Sequence, residues 1–492
     1  MAQVTSTLRI HSIATAAGLL LAFATSSAFA QDTAPPAGLD QQAREAAWAG
    51  RTGEGIRLMD AYLATHPDDR AARLDRARFL AWSGDYAAAI EALDAIAPDS
   101  PEAQALRARI YAWAGRRNAS LALNAAAYGA DPADYDAAYT QALAARQGEW
   151  PHEALPALEA AEAAKPDGKD TRDLARAVRL PLFSSVALPV SVYRDSDDIE
   201  IRSVGLQADV RVGDPWRLLA EVTSREISAP IDGPWRPVTG GDSVDERRVL
   251  VGARYAFSPD AALEVELGRS DIDPGDGETV GHIEFGQQAS DAFGWRVRAE
   301  RDRVLSSPLA VSLGVLREGV TLSGNWRPTL RDNLRGNATF EHLTDDNHRT
   351  ALDLDYRHAV VRNGRLNLDI GGQAEWQSYS RNPGDGYYSP DRYERIAPLA
   401  SAYVKLGDDA GLFLQGALGV QRDETFDSWK RAADFSAQFT FGIFSHWQLV
   451  ASVGYSQRLN QFGRYEGRSV GLELRYRFCE ARRERCPANA GP

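Results

Sequence analysis

His282, His342, His348, His358 and His446 are the residues after Pro181 best suited to base catalysis. Ser445 precedes His446, but neighbours on a strand point to opposite faces, so the two do not pair as nucleophile and base. Asp353 and Asp355 share a face, as an acid–base pair would. Arg357 stands beside them, which favours a charged lining over a reaction centre. No H-E-x-x-H, Walker loop or Cys/His cluster occurs. The two cysteines, Cys479 and Cys486, both lie in the tail. In an oxidising compartment they would form a local disulfide; otherwise they are two inert thiols, and zinc needs more ligands than this pair offers. The expectation is a non-enzyme with no cofactor and no metal.

The charged residues that remain have a different logic, because they alternate with apolar ones. In the last such run Val470, Leu472, Leu474, Tyr476 and Phe478 face one way, while Glu473, Arg475 and Arg477 face the other. Leu352, Leu354 and Tyr356 oppose Asp353, Asp355 and Arg357. Leu366, Leu368, Ile370 and Trp376 oppose Asp369 and Glu375. Trp295, Val297 and Ala299 oppose Arg296, Arg298 and Glu300. Arg217, Glu221, Arg248, Arg254, Glu264 and Glu266 hold equivalent places in earlier runs. A period of two means β-strands. With one face greasy and the other charged, the pattern fits a transmembrane barrel whose charges line an aqueous lumen.

About 16 such runs separate Ser184 from Phe478, so residues 183–478 read as an antiparallel outer-membrane β-barrel wide enough for a channel. The alternative is that opposite lumen charges pair with each other and only keep the interior wet. Tyr387, Tyr388 and Tyr393, in a loop between two runs, could stack on sugar rings or could pack the loop on itself.

Residues 1–30 read as a signal peptide. Arg9 gives a positive start, Ile13 to Phe23 an apolar stretch too short to span a bilayer, and Ala28-Phe29-Ala30 a cleavage site. Residues 31–39 form a linker. The formal net charge of −13 argues against a nucleic-acid partner. Residues 479–492 would be a periplasmic tail.

Residues 40–178 have helical spacing and repeat themselves. Glycines recur at Gly50, Gly84, Gly115 and Gly148, with steps of 34, 31 and 33. Prolines recur at Pro67, Pro98, Pro132 and Pro166, with steps of 31, 34 and 34. A period near 34 is the tetratricopeptide length, which predicts about four helix pairs stacked as an α-solenoid. Trp48, Trp82 and Trp113 occupy the same place before the turn and are expected to pack between repeats. The stacked face offers a docking surface for protein or polymer, or the arm is a spacer.

The order of signal peptide, tetratricopeptide arm and large barrel resembles the outer-membrane exporters of bacterial exopolysaccharides, those of cellulose and poly-N-acetylglucosamine. The segment Tyr387-Tyr388-Ser389-Pro390-Asp391-Arg392-Tyr393 looks like a loop of the cellulose-type barrel. The Ala-Trp-x-Gly repeats at Trp82 and Trp113 are similar to those beside YaiO-type barrels. The resemblance implies an outer-membrane protein that passes a polysaccharide through its barrel, its repeats binding polymer or synthesis proteins of the periplasm and inner membrane. The four repeats are fewer than those exporters usually carry, so the arm would need a partner to cross the periplasm, or would only gate the barrel. The other reading is a barrel that anchors an interaction module, a phage-receptor-like role included.

Overall fold

The computed structural model describes residues 38–96, 100–460 and 463–479. The signal peptide, nearly all of the linker, Cys486 and the tail after Cys479 lie outside the described residues; Cys479 itself is disulfide-bonded.

Among the described residues nine α-helices form the arm: α1 (Leu39–Trp48), α2 (Thr52–Thr65), α3 (Arg70–Ser83), α4 (Tyr86–Asp94), α5 (Pro101–Trp113), α6 (Arg117–Ala130), α7 (Tyr135–Ala145), α8 (Leu155–Ala164) and α9 (Lys169–Arg179). They make four antiparallel pairs, and α9 closes the stack. Short polar side chains fix where helices begin. Asp69 accepts from the Ala72 amide at 3.0 Å, Asp85 from Ala88 at 3.1 Å and Asp134 from Ala137 at 2.9 Å. Each satisfies a donor that the helix cannot. Gly84 ends α3 at φ 89°, as the glycine spacing predicts.

The arm's core is built from alanine. Ala43, Ala47, Ala72, Ala77, Ala89, Ala103 and Ala108 are buried and let helices approach closely, with Met59, Phe79, Leu93, Ile110 and Leu158 filling the gaps. Trp82 packs against the first repeat and Trp113 bridges the next two clusters. Trp48 departs from expectation, being 69% exposed. Its equivalents each lean on the preceding repeat, and among the described residues none precedes α1.

Sixteen strands follow: β1 (Ser184–Asp195), β2 (Glu200–Arg211), β3 (Trp216–Ser228), β4 (Ser243–Ser258), β5 (Ala261–Asp273), β6 (Glu278–Gln288), β7 (Phe293–Arg303), β8 (Leu316–Trp326), β9 (Asp332–Leu343), β10 (His348–Arg362), β11 (Leu366–Tyr379), β12 (Tyr393–Lys405), β13 (Ala410–Asp423), β14 (Lys430–Phe441), β15 (Trp447–Asn460) and β16 (Gly463–Phe478). A short helix, α10 (Pro308–Ser312), sits between β7 and β8. Every strand pairs antiparallel with its chain neighbours, and β1 pairs β16 from Ser184↔Phe478 to Asp195↔Gly467, which closes the barrel. Closure leaves no free edge, the condition for spanning lipid with strands. No helix among the described residues is long and apolar enough to cross a membrane.

The outer face is a continuous apolar belt. Leu206, Val222, Val251, Leu267, Leu354 and Val470 are each about half exposed or more. At the end nearest the arm it finishes in aromatic pairs: Trp216–Tyr255 at 4.6 Å, Phe285–Trp295 at 5.5 Å and Trp447–Tyr476 at 4.6 Å. Such rings form the interfacial girdle of membrane barrels. The connections at this end are tight turns. The connections at the other end include the long loops 229–242, 304–315 and 380–392. That asymmetry is also typical of outer-membrane barrels.

Candidate functional site

The site is the inner wall with its two mouths. Because side chains alternate, each exposed apolar residue fixes its neighbour's direction. Leu218 and Val222 point out, so Arg217 and Glu221 point in. Val249 and Val251 place Arg248 and Gly252 inside, and Leu267 places Glu264 and Glu266 inside. The same parity turns Arg254, Arg296, Arg298, Glu300, Asp353, Asp355, Asp369, Glu375, Glu473 and Arg475 inward.

Most of these charges are paired. Arg254 meets Glu264 at 3.0 Å, Arg298 meets Glu300 at 2.8 Å, and Arg296 meets Glu284 at 3.1 Å. Arg357 holds Asp355 at 2.7 Å, Arg362 holds Asp369 at 2.5 Å, and Arg475 holds Glu473 at 2.9 Å. Arg248 lies 3.0 Å from Asp302 and 4.0 Å from Glu221, while Arg217 reaches Asp209 at 2.6 Å. Asp353 stands opposite Glu375 across the β10–β11 ladder. Glu375 pairs with Arg395 at 2.7 Å and with Arg458, and both arginines also meet Asp434. The Arg395 side chain is fully buried. A buried guanidinium is tolerable only when so surrounded, because an unpaired one is very costly. The wall is thus a lattice of ion pairs of both signs, some within a strand and some between strands.

At the far mouth the long loops fold over one another. Val311 of α10 packs on Ile227, Val244 and Ile272, whose parity turns them inward. The Trp235 carbonyl of loop 229–242 accepts from the Leu309 amide at 3.0 Å, and the Gly386 carbonyl of loop 380–392 accepts from Ser307 at 2.6 Å. The tyrosine loop is packed rather than presented. Tyr387 is 4% exposed, with its hydroxyl 2.5 Å from Asp345 and bonded by Asn347 at 2.9 Å. Tyr388 donates to Asp423 at 2.5 Å and Tyr393 to Gln421 at 2.8 Å. Tyr387 and Tyr393 are buried with no face free for a sugar, which corrects the stacking role considered for them, while Tyr388 is half-buried with its hydroxyl held by Asp423. Burial, aided by the Asp345 carboxylate, pushes the Tyr387 phenol above its usual value, so it remains a donor throughout the physiological range.

At the near mouth the arm docks on the turns. Arg116, which precedes α6, donates to the carbonyls of Asp291 at 2.8 Å, Arg327 at 2.6 Å and Thr329 at 2.7 Å. The Asp291 carboxylate in turn accepts from the Asn118 and Ala119 amides, at 2.9 and 2.8 Å, and so caps α6 from the barrel side. Glu149 pairs with Arg254 at 2.7 Å, and its amide donates to the Pro259 carbonyl at 2.9 Å. Gly148 makes that approach with φ 131°, where a Cβ would lie 2.5 Å from the Pro259 oxygen. Trp150 donates to the Ala256 carbonyl at 3.1 Å. A cavity of about 610 Å³ remains between this joint and the inner wall, lined among others by Arg117, Glu149, Arg254, Glu284 and Arg296. None of these docking partners was legible beforehand, since a turn residue's partner far along the chain leaves no local periodicity.

The histidines do not assemble a catalytic set. Ser445 donates to Asp409, while His446 bonds the Arg477 carbonyl at 2.8 Å. His358 pairs with Asp332 at 2.8 Å. For His282 the sequence does not show the partners, because they depend on register. It stands directly opposite Glu266, with Glu264 on the same face.

A tetratricopeptide-repeat family model matches residues 48–110. Among curated proteins none matches. Among solved structures, a bacterial polysaccharide outer membrane secretin superposes with a TM-score of 0.51 at 14% identity, over 60% of this chain and 98% of that one. The outer membrane channel DcaP of Acinetobacter baumannii gives 0.32 at 12% identity, over 60% and 96%. A MamA fragment from Desulfovibrio magneticus RS-1 gives 0.24 at 18% identity, over 29% and 83%. The chain is therefore a tetratricopeptide-repeat segment joined to a closed 16-strand barrel with the fold of an outer-membrane polysaccharide secretin.

Proposed function

We propose that this protein resides in the bacterial outer membrane and exports an exopolysaccharide through its barrel, with the repeat arm on the periplasmic side. The observation that carries the reading is the joint at the near mouth. A repeat solenoid, a surface suited to docking protein or polymer, is fastened to the rim of a charge-lined barrel at its short-turn end. The paired wall suits a hydrated polar polymer, because it offers hydrogen bonds without a strong field of either sign.

The far mouth supports a gated pore, with α10 and the packed loops as the closure. It equally supports the second reading, a barrel that anchors the repeats as an interaction or assembly module. Deletion of the gene followed by an assay of secreted polymer separates the two: unchanged surface polysaccharide would eliminate export. In planar bilayers, the intact protein is expected to conduct poorly, and a variant with residues 306–313 replaced by a short glycine–serine link should conduct severalfold better. Equal conductance of both would remove α10 as the gate.

A further inference from the structure

Glu264, Glu266 and His282 form a cluster on the inner wall that the ion-pair lattice does not account for. One ligand atom from each lies within 4.8 Å of the others. His282 is 7% exposed. Its Nε2 lies 3.2 Å from Glu264 Oε1, and Arg254 takes the second oxygen of that carboxylate at 3.0 Å. With one Glu264 oxygen facing Nε2 and the other taken by Arg254, the tautomer protonated at Nε2 presents a lone pair on Nδ1. That Nδ1 is buried and has no hydrogen-bond partner. It points toward Glu266 Oε2 at 3.7 Å, too far for a hydrogen bond. Two donors each about 2.1 Å from a zinc ion, at angles of about 110–125°, stand roughly 3.4–3.7 Å apart. Gly252, opposite Glu266 on β4, keeps the pocket open: a Cβ there would lie 2.7 Å from Glu266 Cγ.

We propose that Nδ1 of His282 and the Glu266 carboxylate bind a divalent transition-metal ion of the zinc class inside the barrel. Glu264 is the positioning residue, fixing the ring through Nε2 in the carboxylate–histidine–metal arrangement. Mixed imidazole and carboxylate donors select this class over calcium or magnesium, which prefer all-oxygen sites. Two protein ligands leave the remaining positions to water or to a donor group of passing cargo. The proposal does not depend on the export reading, since binding is measured without polymer.

The test is equilibrium dialysis of the full chain in detergent against Zn²⁺ at near-neutral pH. Expected is one saturable zinc per chain. H282A and E266Q should abolish it, and E264Q should weaken it by about tenfold or more. Retained barrel folding is checked by the altered gel mobility of the unheated protein. Zinc X-ray absorption on the unmodified protein should show one imidazole among oxygen ligands, which covers the case of variants that fail to fold. No saturable uptake, uptake untouched by H282A, or a zinc spectrum without imidazole would each overturn the site.

Discussion

Arg116 shows how much can rest on one side chain. It is nearly buried and spends its guanidinium on three carbonyls from two barrel turns. Hydrogen bonds to a charged group contribute about 1.5–3 kcal/mol. Arg116→Ala should therefore loosen the arm by about that much, seen as faster proteolysis near residues 179–184 with the barrel still resistant. Asp69 offers a pH-dependent counterpart. The Ala72 amide, and then the Tyr62 hydroxyl at 3.0 Å, hold its carboxyl below the usual carboxylate value. A depressed folded value means that the contribution is complete above the unfolded value of about 4 and is lost as pH falls through the folded one. Asp69→Ala should cost the arm about 1 kcal/mol at neutral pH, and progressively less in acid, by thermal unfolding of the full chain. The tryptophans make a third contrast. Trp113→Ala, between two clusters, should cost about 3 kcal/mol, and the exposed Trp48→Ala less than about 0.5.

At the scale of elements, legibility followed period. Strands announced themselves because lipid on one side and water on the other impose strict alternation, as in Val470 to Phe478 against Glu473 to Arg477. The repeats were legible because each Gly and Pro marks the same backbone event. What stayed hidden depended on contacts between distant segments. The sequence 304–315 has no period, yet Val311 packs inside the far mouth. Glu264 and Glu266 were placed inward, but only the β5–β6 register brings His282 to them. The sequence leaves Tyr387 open between stacking on sugar and packing the loop on itself, because Asp345 and Asn347 carry no local signal that they enclose it.

For the whole molecule, the claim most open to test is which way the greasy face points. Leu354 lies on the outer belt and is about half exposed. If the belt meets lipid, Leu354→Arg should destabilise the barrel by about 2–4 kcal/mol in bilayers, measured by denaturant titration in liposomes. In a water-facing wall the same change would cost almost nothing. Asp355, its inward neighbour, should respond in the opposite manner: Asp355→Asn leaves Arg357 unbalanced without disturbing membrane insertion.

The joint between arm and barrel also has a pitch. The Gly84–Asp85 turn reaches Arg331 beyond β8, Arg116 reaches the turns after β6 and β8, Glu149 the turn after β4, and His152 lies 3.9 Å from Asp214 after β2. From the Gly84 turn through the Gly115 turn to the Gly148 turn, the contacts thus advance about one hairpin per repeat around the ring, counter to the order of the chain. Stacked helices lie about 8–10 Å apart and two strand spacings span about 9.6 Å, so the two rulers nearly agree. A solenoid and a cylinder so matched mesh like a rack on a gear, and lengthening the rack by whole teeth would carry its free end farther round the circumference without breaking a contact already made.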